Sequence, residues 1–464
     1  MHRAIALLGI LAALAAAAQA AGERPEVRVL TLSPAPEPVP ALRHALLPRR
    51  PELRPGNAAP LYLRSSLLAV QVDEAATQGI AEWASAPMAD VPADDAGEAL
   101  AAYADALYEA KTAARRTRCE WELDLSRGFG TLLPDLAHCR SVGRAIMLQA
   151  RLQIADGRYE EAMETLQTGF AMARDVARGG TLIHGLVGVA VGELMLQAVE
   201  EWVDSDGAPN LYWALAALPD PPVDLRPGLD TELSLVDTLA PCLADPLGAS
   251  LDADGWREQL VPLLRTFGAG DTDHAQKILT GVAVATYEDA RGHVRRQGYT
   301  DEEVDAMPVL QVVAAYMTDW HRRIRDDLFK WFYVPYPEAV AGFRSSEEQL
   351  EEVRGELYGV LPAMLLPALR RAYEASVSLE RRVAALRCVE AVRMHAAAHD
   401  GELPASLDDV DCVPVPLDPM TARPFVYSLA EATATLSSPP VEGERPRCAV
   451  RYELKVARQP GTEE

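Results

Sequence analysis

His395 and His399 stand four residues apart in a helical stretch, so one helix face carries both imidazoles, the spacing in which two histidines share a zinc ion. Asp400 or Glu402 offers a third ligand. The glutamate of an HExxH site is missing, because Ala396 follows His395. The helix also stops at His399, where a protonated imidazole suits the negative end of the helix dipole. A structural pair is the preferred reading, and His395 and His399 are kept as weak metal candidates. Asp252-Ala253-Asp254-Gly255 begins like a calcium loop, but position twelve would be Val261 in place of a bidentate glutamate. A solvated helix N-terminus explains it better. His321, Arg322 and Arg323 with Asp326 and Asp327 suggest an acid–base cluster; on a helix the plainer expectation is an Arg322–Asp326 surface ion pair. Glu120, Glu122 and Asp124 around Trp121 are the carboxylates nearest to a glycosidase pattern, but nothing fixes a second wall or a separation. GxSxG, the P-loop and GxGxxG are all missing. The residues give no ground for assigning catalytic residues or a cofactor. Enzymatic activity stays open, with a non-enzyme preferred.

The elements that position these residues are mostly helical. Leu379, Val383, Leu386, Val389 and Val392 recur at three- and four-residue steps, one face of a helix, with Arg381, Arg382, Arg387 and Arg393 mainly on other faces. His399-Asp400-Gly401 stops that helix, since glycine takes the left-handed cap without a Cβ clash. Pro404 turns the chain, Ser406 starts a short capped turn, and Val413 to Leu417 is extended because residues before proline avoid the helical region. Asp418-Pro419-Met420-Thr421 is a turn. Phe425 to Leu429 and Thr433 to Ser437 form a hairpin, with Cys448 to Val456 as a third strand.

Gly401-Glu402-Leu403-Pro404-Ala405-Ser406-Leu407, Pro416-Leu417-Asp418-Pro419 and Arg423-Pro424-Phe425-Val426-Tyr427 resemble the helix-plus-small-sheet region of type II secretion major pseudopilins. A pseudopilin carries its long apolar helix at the mature N-terminus, whereas this module ends a large helical protein. The resemblance therefore implies the local fold and not polymerisation.

The chain has 464 residues, enough for two or three domains, and a formal net charge of −24, which repels phosphate backbones and disfavours nucleic-acid partners. Met1 to Ala20 reads as a secretory signal peptide: a short basic start, an apolar run from Ala4 to Ala18, and a small-x-small site at Ala18-Gln19-Ala20. Cleavage near Ala20 leaves an extracytoplasmic protein, periplasmic or secreted, with no further transmembrane span. The six cysteines allow Cys412–Cys448 and Cys119–Cys139 bridges; burial as reduced thiols is weighed equally.

Residues 21–60 are proline-rich and read as an extended entry segment. Helical patterns follow over Leu61 to Ala84 and Gly97 to Arg116. Pro134 to Ala155 and Arg158 to Val176 make the clearest pair; Gly157, Tyr159 and Ala162 at their junction are similar to the turn of a tetratricopeptide repeat. No second copy follows 34 residues on, so one helical hairpin is expected, not an array. Thr181 to Val199 is apolar with Gly185, Gly188 and Gly192 aligned, and His184 and Glu193 in it favour a buried helix over a membrane span. Further helices cover Gly228 to Ala240, Asp252 to Phe267 and Asp271 to Arg296. Thr300 and Glu303 form a capping box whose helix should run toward Lys330. Phe329 to Pro337 is the aromatic peak and is expected to plug a gap between helices. Another helix starts at Ser345, and Pro362 and Pro367 should kink or split it.

Gly56-Asn57-Ala58-Ala59-Pro60, the Ala155-to-Met195 block, Gly207-Ala208-Pro209-Asn210-Leu211-Tyr212-Trp213, Phe329 to Pro337 and the C-terminal module together resemble a family of secreted proteins of planctomycete bacteria. The resemblance covers most of the mature chain and implies no activity. The expected architecture is mostly α. A multi-helix array with one tetratricopeptide-like hairpin (61–378) ends in a helix plus a small antiparallel sheet (379–464). The expected function is that of an exported, non-enzymatic helical scaffold with a protein partner. The alternatives are an exported hydrolase with a site in the helical groove and a secretion-system accessory.

Overall fold

The computed structural model describes residues 27–122, 134–266, 269–352, 360–439, 441, 445 and 448–456. The signal peptide expected at 1–20 and the candidate Asp124 fall outside the described residues. The fold is mostly α with a small sheet near the C-terminus, as the periodicities require. Contacts divide the chain into two compact units. The larger holds Ala21–Trp121, Leu133–Gly228 and Ala372–Glu464; the smaller is built mainly on Leu229–Arg371. The helical stretch expected as one domain is thus shared between two units. The C-terminal module belongs with the N-terminal segment.

The larger unit begins with a strand inside the proline-rich entry segment, β1 (Val27–Leu32), followed by β2 (Arg54–Asn57). The pattern over 61–84 is two helices, α1 (Ala59–Val70) and α2 (Glu74–Trp83). The Asp73 side chain restarts the helix by accepting the Ala76 N–H at 2.8 Å. The pattern over 97–116 is likewise α3 (Ala93–Ala102) and α4 (Ala104–Ala114), broken at the buried Tyr103, whose ψ is 1°. Strand β3 (Arg116–Arg118) pairs in parallel with β2.

Next come α5 (Pro134–Ala155), α6 (Tyr159–Ala177) and α7 (Leu182–Asp204). Gly157 takes φ +70° at the α5–α6 turn, the conformation that selects glycine there. Ala150, Ala162 and Leu166 are fully buried along the pair. Helix α7 is capped by Thr181 and mostly apolar, and from Leu182 to Val203 every residue is buried or half-buried, the mark of a helix packed on most sides. By length and composition it could cross a membrane, yet 67% of its most apolar window is buried inside the protein. Gly188 sets its approach to α6: a Cβ there would lie 2.5 Å from the Ala173 carbonyl oxygen and 2.8 Å from the Ala177 Cβ. The short α8 (Tyr212–Ala216) follows.

The smaller unit takes up α9 (Arg226–Leu239) from Leu229 on, then α10 (Ala253–Thr266), α11 (Thr272–Arg296), α12 (Asp301–Ala306), α13 (Val309–Phe329) and α14 (Tyr336–Glu352). Two apolar clusters hold it, one around Trp256 and Ala275 and one around Val294, Val304 and Val312. The Thr300–Glu303 capping box is present, but its helix ends at Ala306. Met307 precedes Pro308 and is extended at ψ 146°, so the helix cannot run on to Lys330. Phe329, Phe332, Tyr336 and Phe343 are buried, and the Phe332 and Phe343 rings meet edge to face at 5.9 Å, so the aromatic peak is a plug. Helix α14 starts at Tyr336, nine residues before Ser345, because Pro337 is tolerated in a first turn.

Helix α15 (Val360–Ala398) is one helix; Pro362 and Pro367 do not split it. It ends as expected: Asp400 (φ 51°) and Gly401 (φ 89°) turn left-handed, and Gly401 N–H reaches the Ala396 carbonyl at 2.8 Å. From Ala372 on it belongs to the larger unit. After it come β4 (Leu417–Asp418), β5 (Arg423–Pro424), β6 (Val426–Ala430), β7 (Thr433–Ser437) and β8 (Arg451–Val456). The sheet has four strands where three were expected, in the order β1-β8-β7-β6. β1 joins β8 in parallel, with Val27 opposite Arg451 and Leu32 opposite Val456. Leu30, Leu32, Ala434, Leu436, Tyr452 and Leu454 alternate onto one buried face. Each such leucine contributes roughly 1.5–3 kcal/mol by leaving water. Of the two alternatives weighed for the cysteines, the structure has the reduced one: neither possible bridge is present, since Cys119 and Cys412 are free thiols.

Candidate functional site

The charged side chains of α15 are its defining feature. Arg381, Arg382 and Arg393 were expected mainly on faces away from the core, but all three are buried, with Arg381 and Arg393 at 0% exposure. Arg381 forks onto Asp418 with two bonds of 2.7 Å and also donates to the Cys448 carbonyl at 3.0 Å. Asp418 is itself 0% exposed and accepts the Met420 N–H and the Thr421 hydroxyl. Its place in the turn is therefore only half its role.

The adjacent Arg382 bridges Glu193 and Glu200 of α7, the latter at 2.8 Å. Glu200 also takes Arg28 from β1 and the Tyr452 hydroxyl from β8, the hydroxyl at 2.6 Å. Arg393 pairs with Glu390 at 2.9 Å and donates to the carbonyls of Ser33 and Ala208. Burial raises the Glu390 pKa, and the Arg393 charge opposes the rise. Each arginine thus ties α15 to a segment far away in sequence.

Gly207-Ala208-Pro209-Asn210-Leu211-Tyr212-Trp213 serves the same end. Asn210 is buried and donates to the Glu390 carbonyl at 2.8 Å. The Tyr212 hydroxyl donates to the Pro414 carbonyl, and Arg387 lies 5.2 Å from the centre of the Tyr212 ring. Arg151 of α5 holds the carbonyls of Trp83 and Ala86 and the Glu201 carboxylate. One sequence signal was available for the α15 clamps. Between its arginines the helix carries Ala384, Ala385, Cys388 and Ala391 and no run of Lys or Glu, so it has no polar face to give to water.

His395 and His399 do not form a metal site in this arrangement. Their rings stack 3.9 Å apart at 15°, and His399 Nδ1 sits 2.8 Å from the His395 carbonyl. A metal lies in the plane of each imidazole that binds it, and two near-parallel planes do not meet beside the rings. Among the described residues no group of three or more His, Cys, Asp or Glu side chains is close enough to hold a metal ion. Asp252 caps α10 by accepting the Gly255 N–H at 2.8 Å. Arg322 does not pair with Asp326; it reaches Asp237 and the carbonyls of Leu243 and Ala244, while Asp326 pairs with Arg325. Glu120 and Glu122 are exposed, with no wall facing them built by Trp121. Trp121 turns inward, donating to the Asp175 carbonyl at 2.8 Å and stacking on Tyr62.

That last contact belongs to a set in which Cys, His, Asp and Tyr do come together. The Tyr62 hydroxyl donates to Asp175 at 3.3 Å, the Cys119 thiol faces the Asp175 carbonyl, and His184 lies against Trp121. Burial pushes the Cys119 thiol up to about 12, helped by the Asp175 charge, and pushes His184 down to about 4. At neutral pH this gives neither a thiolate nor an imidazolium, so the set is poor in nucleophile and acid alike.

A different region carries exposed charge. Arg54, Lys111, Arg115 and Arg116, with Tyr108 and Thr112, line a cleft of about 230 Å³ where β2 and β3 meet α4. The parallel register sets Arg54 opposite Arg116. The surface this cleft exposes is nearly all apolar, the aliphatic stems of these side chains and the Tyr108 ring, so it is not a preformed anion site.

Compared with protein-family models, with curated proteins and with solved structures, the chain matches none.

Proposed function

We propose that the protein is an exported, non-enzymatic helical scaffold that contacts another protein. Export rests on the signal-like pattern of Met1 to Ala20. The observation that carries the scaffold reading is the use of the buried charges. Arg381, Arg382, Arg393 and Arg151 are each engaged with a carboxylate and are spent on joining distant segments. Groups held this way fix shape; they do not exchange protons with a substrate. A rigid frame with charge left on its surface is suited to presenting a contact face.

The test is capture of the tagged full chain after crosslinking in its own cells, followed fraction by fraction. A reproducible stoichiometric partner in an extracytoplasmic fraction supports the proposal. Residence in the cytoplasm, or no partner in any fraction, overturns it.

A further inference from the structure

We propose that the free edge of strand β6 is an interface with a second copy of this chain. The two copies pair antiparallel, β6 against β6, and join their sheets into one. The proposal goes beyond the scaffold reading and does not depend on it.

The first argument is the contrast between the two edges of the sheet. In the order β1-β8-β7-β6 the outer strands are β1 and β6. The chain closes the β1 edge itself. The Thr31 N–H bonds to the Asp204 carboxylate of α7, and Arg28 pairs with Glu200. The β6 edge is open: Val426, Ser428, Leu429 and Ala430 are exposed, Val426 at 52%. Edge strands are commonly guarded by a charge, a proline or a bulge. Val426-Tyr427-Ser428-Leu429-Ala430 has no charge and no proline, and its register with β7 is unbroken from Val426–Ser437 to Ala430–Thr433.

The second argument is which backbone groups are left over. Glu431 and Ala432 make a two-residue turn, with Ala430 opposite Thr433. The pair that flanks such a turn is hydrogen-bonded. By alternation Val426, Ser428 and Ala430 bond to β7, while Tyr427 and Leu429 turn N–H and C=O to the open side. No loop or helix among the described residues bonds to those outward groups.

Charge complementarity chooses the occupant. Arg423 and Glu431 stand exposed at opposite ends of β6, and among the described residues neither side chain has a hydrogen bond or an ion pair. An antiparallel second copy brings each Arg423 to the Glu431 end of the other. Two-fold pairing about Tyr427 keeps outward backbone groups opposite one another and sets Leu429 opposite Phe425 of the second copy. Parallel pairing would set like charges together. A foreign strand would need the same two charges in reverse order, and β6 already carries them. The formal charge of −24 opposes association at long range, but beyond about 10 Å it is screened at ordinary salt. One short strand from each copy covers less than the roughly 1,000 Å² of a stable complex, so the dimer is weak and reversible.

The experiment is sedimentation velocity of the full mature chain from about 5 to about 500 μM, the range in which so small an interface exchanges. Wild type is expected to shift from monomer toward dimer across it. Arg423→Glu and Glu431→Arg each weaken the dimer about fivefold or more, because attraction becomes repulsion at both ends. The Arg423→Glu/Glu431→Arg double variant returns to within about threefold of wild type, since the pairs are restored in reverse. An equimolar mixture of the two single variants dimerises more strongly than either alone. Hydrogen exchange of the same samples gives the second readout. The Tyr427 and Leu429 amides gain protection as concentration rises, while those of Ser428 and Ala430 are protected at every concentration.

A monomer throughout the range overturns the proposal. So does a dimer in which the Tyr427 and Leu429 amides stay unprotected, or one that both single variants leave unchanged. Single variants that weaken the dimer without rescue by the double variant also overturn it, because the damage is then not at a charge pair across the two-fold. A monomer whose Tyr427 and Leu429 amides are covered only by a different protein assigns the edge to that protein and removes the second copy.

Discussion

Removing one member of the Arg381–Asp418 pair is expected to be among the most costly single changes in the larger unit. Both side chains are 0% exposed, and the pair is bidentate at 2.7 Å on each arm. Asp418→Ala leaves the buried Arg381 guanidinium, which also donates to the Cys448 carbonyl, without this carboxylate, and it strips the Met420 N–H and the Thr421 hydroxyl of their acceptor. A buried charge without its partner costs about 3–5 kcal/mol. The two lost turn bonds add roughly 1 kcal/mol each. Against this stands Arg381→Met with Asp418→Asn, which removes both charges and keeps an acceptor for the turn. Apolar or neutral replacement of a buried pair is often near neutral. The double variant is therefore expected to lose less than the sum of its single changes, with a coupling of at least about 2 kcal/mol. Two compact units make a single global transition a poor reporter, so the measurement is native-state hydrogen exchange of the α15 and β8 amides. An Asp418→Ala loss below about 1 kcal/mol, or single changes that simply add, would show that the pair is solvated and that the reasoning about α15 is wrong.

Gly188→Leu should be destabilising by several kcal/mol, because the Cβ alone meets the Ala173 carbonyl oxygen at 2.5 Å and backbone must move; a thermal melt reads it, and an unchanged melting temperature would refute the close α6–α7 approach. His184 is held neutral by burial, down to about 4, while the unfolded chain takes that proton near 6.5. Its contribution is complete above pH 6.5 and is lost as pH falls from 6.5 to about 4, so His184→Gln should flatten urea stability over that window by up to roughly 3 kcal/mol. Glu380 runs the other way: burial, aided by the Asp220 charge, raises it from 4.5 to about 8. Its contribution is complete below pH 4.5 and is lost as pH rises through about 8. Glu380→Gln should therefore gain on wild type by roughly 2–4 kcal/mol at pH 9 and not at pH 4, and an equal gain at both would exclude the titration.

Much of the local structure was legible in order of residues. Gly157, Thr300 with Glu303 and Gly401 act through the backbone within a few residues, and each marks its helix end as expected. The α5–α6 hairpin, the burial of α7 and the β6–β7 hairpin follow from periods of 3.6 and 2. One stop and one start were misplaced for equally local reasons: Pro308 ends α12, and Pro337 is accepted in the first turn of α14.

What tertiary structure alone decided is which residues meet across long separations. Periodicity places Arg381, Arg382 and Arg393 around a helix, but whether a side chain meets water or a carboxylate depends on what packs there. Asp418, Glu193, Glu200 and Glu390 are those carboxylates, and three of the four come from other turns of the chain. The fourth strand has the same cause. Val27–Leu32 looked like the start of a linker because its partner β8 lies more than 400 residues on, and a parallel pair leaves no turn signature. The basic cleft was hidden for that reason too: Arg54 and Arg116 are 62 positions apart and become neighbours only when β2 and β3 pair. The sequence by itself determined where this chain turns helical and where it stops; tertiary structure decided where its charges are spent, because electrostatic partners are chosen by distance in space.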